Sequence, residues 1–147
     1  MTSFREMPLD RLETQARVCA EIVQQTMIQS LLGGKPADRC LKDAFYANRQ
    51  FGSRDRRLIS ESLFGILRWW GWLRYLAPPA FTEAWQQHQE SIAEASASAW
   101  YAALVGAWLL ESPEELPPAV RVWAAALEPA DMELNFPPRE ASWEEKW

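Results

Sequence analysis

Residues 51–70 read FGSRDRRLISESLFGILRWW, and this stretch decides the fold. Ile59, Leu63, Ile66, Leu67 and Trp70 recur with the 3.6-residue period of a helix, and Ser53, a good N-capping type, stands where the pattern begins. The spacing predicts a helix from Ser53 toward Leu76, ended by Pro78-Pro79, and Gly71 leaves open whether it runs as one piece or two. Arg54, Arg56 and Arg57 crowd its first turn. A helix N-terminus carries roughly half a positive charge and disfavours each basic side chain by about 0.3–1 kcal/mol. That repulsion calls for an offset, either carboxylates of the protein itself or an anion from outside.

Upstream, Pro8 to Leu32 reads as a long first helix with Leu12, Ala16, Cys19, Val23, Met27 and Leu31 on one stripe, stopped by Gly33-Gly34. Lys35-Pro36 opens a second helix with Leu41, Ala44 and Phe45 inward and Asn48 near its end, and residues 49–52 form a short loop into the third. Downstream, Thr82 caps a fourth helix beginning at Glu83. The run from Ile92 to Leu110 is helical again, with a small-residue row of Ala95, Ala99, Ala102 and Gly106 that permits close crossing. Ser96 and Ser98 mark either a break in that run or a solvated face. Leu116-Pro117-Pro118 begins a last helix through Val120, Trp123 and Leu127. No alternating Val, Ile or Thr run exists, so the predicted fold is an all-α bundle of about five to seven helices over residues 1–128, with 129–147 as a linker or arm.

With 147 residues, 48% of them hydrophobic, the chain suits one domain with a sizeable core. It has no run of about 18 apolar residues and no signal-peptide pattern at its start, so the expectation is a soluble, cytoplasmic protein. Cys19 and Cys40 fall on apolar faces and read as reduced, buried thiols. His88 is the only histidine and the cysteines lack ligand spacing, so no metal site is expected. Glycine-rich phosphate loops and histidine-bearing triads are absent too, which makes catalysis by this chain alone an unfavoured reading. Its nine tryptophans read mostly as helix-packing residues.

The net charge of −5 conceals an asymmetry: residues 1–79 hold 12 Lys/Arg and 8 Asp/Glu, whereas residues 80–147 hold 3 and 12. Contact with nucleic acid must come from a local basic patch in the first half. Arg54, Arg57, Glu61 and Arg68 fall within about a 60° sector at 100° per residue, opposite the apolar seam. Trp72 lies on the charged side, and Arg49 and Lys35 extend the patch from the loops. Arginines that hold phosphates beside an aromatic ring that stacks a base are what single-stranded RNA binders use. A structural reading stands beside this one. Asp55 and Glu61 can pair with Arg54, Arg56 or Arg57, and Arg56, nearest the apolar side, is assigned a structural role in such pairs. Gly65 and Trp72 fit equally a second helix crossing.

The string RQFGSRDRRLISESLFGILRWW, preceded by ADRCLKDAFYAN, resembles the N-terminal domain of the RsmB/Sun (Fmu) family of ribosomal RNA cytosine methyltransferases. Ala37-Asp38, Gly52 to Arg56 and Leu67-Arg68 carry the likeness, which covers roughly residues 15–76. It implies a NusB-like RNA-binding bundle whose partners are ribosomal RNA and a methyltransferase domain that uses S-adenosylmethionine and a cysteine nucleophile. The family's glycine-rich cofactor loop and its Pro-Cys and Thr-Cys motifs have no counterpart here, so neither Cys19 nor Cys40 inherits catalysis, and no cofactor is expected in this chain. Glu133 to Pro137 is similar to the family's approach to that catalytic domain. The expected function is thus an RNA-binding domain, fragment or truncated form, of an rRNA 5-methylcytosine methyltransferase. The alternatives are a stand-alone NusB-like antitermination-type factor and a helical protein-interaction module without an RNA role.

Overall fold

The computed structural model describes residues 8–76 and 97–127, the side chains of residues 71, 72, 74, 75 and 76 excepted, and five helices lie among them. They are α1 (Leu9–Gly33), α2 (Ala37–Ala47), α3 (Ser53–Leu76), α4 (Ala97–Glu111) and α5 (Ala119–Ala125). The fold is all-α, with no strand among the described residues. None of the described helices is long and apolar enough to cross a membrane. The expected helix from Glu83, the start of the run at Ile92, His88 and the 129–147 arm with its two tryptophans lie outside the described residues.

The seam of α3 organises the bundle. Leu58, Ile59, Leu63, Ile66 and Trp70 are all buried, and they pack α3 between α1 on one side and α4 on the other. Helix α3 runs through Gly71 without a break. Its start differs from the expectation by one residue: the Arg56 N–H donates to the Gly52 carbonyl at 3.0 Å, so Gly52 takes the cap position and Ser53 is the first helical residue. The crowding of arginines into the first turn is unchanged by this shift.

On α1 the stripe of Ala16, Cys19, Val23 and Met27 is buried, while Leu12 and Leu31 at its ends are half-buried. The helix stops at Gly34, whose φ of 70° is the left-handed conformation that glycine adopts without a Cβ penalty, and whose N–H returns to the Ser30 carbonyl at 3.2 Å. Helix α2 packs on α1 and ends where the Asn48 side-chain amide donates to the Ala44 carbonyl at 2.7 Å. Helix α4 is buried on nearly every side, as expected of an Ala-rich helix enclosed by neighbours. Ser98 belongs to it and is buried, so it is not part of a solvated face, while Ser96 lies outside the described residues. A Cβ placed on Gly65 would sit 3.8 Å from that of Ala107, which identifies Gly65 with the α3–α4 crossing. Short α5 closes the far side by packing on both α1 and α4.

Two polar links tie these helices through the core. Trp123 of α5 donates its indole N–H to the Ala16 carbonyl of α1 at 2.8 Å. Ser62 is buried where α1, α3 and α4 meet. Its Oγ accepts the Trp108 indole N–H at 3.0 Å and the Cys19 thiol at 3.8 Å. Burial pushes the Cys19 thiol up to about 12, so almost no thiolate exists at neutral pH. Cys40 is buried as well, and both cysteines are free. Native protein is therefore expected to react with a disulfide reagent such as DTNB only at the rate of transient unfolding, and at once when guanidinium is added. Rapid labelling of Cys19 in the native state would contradict its placement.

Candidate nucleic-acid interface

The short 48–52 loop brings the end of α2 against the start of α3, and aromatic rings fix the junction. Phe45 and Phe51 meet edge to face, with centroids 6.5 Å apart and an interplanar angle of 88°. The guanidinium of Arg56 lies over the Phe45 ring, 5.9 Å from its centroid. That of Arg49 lies over the ring of Tyr46, at 4.5 Å, and Tyr46 is 72% exposed. Cation–π contacts of this kind hold a guanidinium without neutralising it.

These placements revise the division among the arginines. Helical spacing assigns Arg56 to carboxylate pairs, yet among the described residues no carboxylate lies within ion-pair distance of it. Asp55 instead accepts a hydrogen bond from across the α1–α3 interface, the Gln15 Nε2–H donating to its Oδ1 at 3.0 Å. Glu61 does pair, with Arg57 one turn earlier at 3.1 Å.

Arg57 and Arg68, both candidate phosphate contacts, face carboxylates instead. They line a cleft of about 410 Å³ between α3 and α4 together with Glu61, Glu111 and Glu115, so acids outnumber bases there. Arg68 pairs with Glu111, which also accepts the Trp69 indole N–H at 2.6 Å. The hydrogen bonds from Arg68 and Trp69 hold the Glu111 carboxyl below its ordinary value. A depressed carboxyl pKa stabilises the folded state above the ordinary value, and that contribution disappears as pH falls through the depressed one. The melting-temperature difference between wild type and Glu111→Gln should accordingly be present in full at neutral pH and shrink steadily as the pH is lowered through and below the ordinary carboxylate range. Lys35 is bonded in the same way to Asp43, whose carboxyl it holds low. The side chain of Trp72 lies outside the described residues.

Arg49, Arg54 and Arg56 remain, all exposed, and among the described residues none has an acidic partner. Arg54 faces a second, larger depression of about 850 Å³ between α1 and the start of α3, lined also by Arg11, Gln15, Glu21, Gln25 and Asp55, so that two bases there face two acids. Arg11 again has no carboxylate within ion-pair distance among the described residues. It sits in no motif, so sequence reasoning passes over it. The signal that could find it is the row Arg11, Gln15, Val18, Ile22 and Gln25, one face of α1 at spacings of three and four.

Comparison with known family models, curated proteins and solved structures returns no match for the chain. The described residues contain no strand, and so no strand, glycine loop and helix of the kind that cradles S-adenosylmethionine. They do not fit that cofactor. Nor do they gather three metal-ligating side chains in one place.

Proposed function

We propose that the chain is an RNA-binding helical domain, of the NusB-like type found in ribosomal RNA cytosine-5 methyltransferases, which positions structured RNA for catalysis carried elsewhere. One observation carries this reading. At the α2–α3 junction Arg49, Arg54 and Arg56 keep their charge unneutralised beside exposed Tyr46, while Lys35 and Arg68 are each matched to a carboxylate. Uncompensated guanidinium groups at a helix start, where the dipole already disfavours them, are stabilised by phosphate. The resemblance of roughly residues 15–76 to the methyltransferase family's N-terminal domain supports ribosomal RNA as the partner class.

The acidic second half keeps the contact local, so affinity should come from few phosphates and depend on RNA shape. The test is an anisotropy titration of a labelled, structured ribosomal RNA fragment at low and at moderate salt. Binding that weakens as salt rises is the expected result. Absence of binding at both salts favours the protein-interaction module instead.

A further inference from the structure

We propose that the exposed face of α2 holds an unpaired strand of the RNA with a base stacked on Tyr46, a claim that rests on the RNA-binding reading and extends it beyond the α2–α3 junction. At 100° per residue, Arg39, Lys42 and Tyr46 fall within about a 60° sector of α2, opposite its buried Cys40 and Leu41. All three are exposed, and Tyr46, at 72%, is the most exposed large apolar side chain among the described residues. Arg49 continues the row past the end of the helix, its guanidinium resting 4.5 Å from the centroid of the Tyr46 ring. That contact occupies one face of the ring, and the exposure of Tyr46 leaves the rest open to solvent.

The charges around this face favour a polyanion. Lys35, Arg39, Lys42 and Arg49 stand against two acids, Asp38 and Asp43, one at each edge of the face, and Asp43 is already bonded to Lys35. Among the described residues Arg39, Lys42 and Arg49 have no carboxylate within ion-pair distance. Residues 22–33 at the end of α1, which lead into α2, carry no charge, and Glu21 before them is paired with Arg17. A duplex could meet these cations through its phosphates, but its bases are stacked on one another and closed to the Tyr46 ring. An unpaired strand offers phosphates and a base face together, and cations beside an open aromatic ring are what single-strand sites use. The occupant is therefore an unpaired segment flanking the structured RNA held at the α2–α3 junction.

The experiment is an anisotropy titration of the whole chain with two labelled RNA hairpins of equal stem. One is blunt, and the other carries an unpaired extension of about six nucleotides at each end, within the length that single-strand sites cover. Wild type should bind the extended hairpin about tenfold more tightly, the scale expected for stacking one base. Tyr46→Ala should abolish most of that preference, whereas Tyr46→Phe, which keeps the ring, should retain it. An extension stripped of its bases but not its phosphates should behave with wild type as the intact extension does with Tyr46→Ala. The Arg39→Ala, Lys42→Ala double variant should reduce the preference and flatten its salt dependence. Equal wild-type affinity for both hairpins overturns the inference and leaves the RNA-binding reading standing, and binding of neither overturns both. A preference undiminished in Tyr46→Ala, or lost equally in Tyr46→Phe, overturns the stacking on Tyr46.

Discussion

Trp123→Ala is expected to lower the free energy of unfolding by about 3–5 kcal/mol, read from urea melts followed by far-ultraviolet circular dichroism. Trp123 is fully buried, and it sits on α5, a helix of seven residues too short to be stable without tertiary packing. Its ring fills the space between α5 and α1, and its indole N–H reaches the Ala16 carbonyl across 107 residues of sequence. Truncation leaves a cavity there and frees α5 from α1. Since domains of this size are stable by only about 5–15 kcal/mol, the decrease is a large share of the total. Trp123→Phe keeps a six-membered ring in the core but loses the hydrogen bond and the pyrrole part of the indole, so its cost should be intermediate, about 1–3 kcal/mol. A Trp123→Ala variant as stable as wild type would show that α5 does not anchor the bundle.

The second large effect concerns binding. The combined Arg49→Ala, Arg54→Ala and Arg56→Ala variant should bind structured RNA about two orders of magnitude more weakly, at roughly 1 kcal/mol for each guanidinium–phosphate interaction removed. Its fold should survive, because all three side chains are exposed and none forms an ion pair among the described residues. Lys35→Ala and Arg68→Ala form the contrasting pair. Each removes a basic residue already matched to a carboxylate, so each should shift affinity by no more than about threefold. Equal weakening by all of these substitutions would mean that binding follows total charge and not the α2–α3 junction.

Much of the architecture is legible in the sequence because the helices obey local rules. The Ile59, Leu63, Ile66, Trp70 period sets the buried face of α3, Gly34 the end of α1, and Pro36 the start of α2. The site is less legible. Choosing among Arg49, Arg54, Arg56, Arg57 and Arg68 depends on where carboxylates distant in sequence come to rest. Glu111 meets Arg68 from 43 residues away, and Asp55 is drawn to Gln15 from 40. Helical spacing finds Glu61 beside Arg57 but is silent on those two encounters. The Ser62 junction with Cys19 and Trp108 is hidden for the same reason, since its three members belong to three helices.

The central claim is that the arginines of the α2–α3 junction neutralise RNA phosphate, and the salt dependence of binding tests it most directly. The observed binding constant for a structured RNA should be measured against salt concentration on logarithmic axes, for wild type and for the Arg49, Arg54, Arg56 triple-alanine variant. Each neutralised phosphate contributes about 0.7–0.9 to the slope, so the variant's line should be flatter by roughly 2–3 units. Parallel lines would contradict the account.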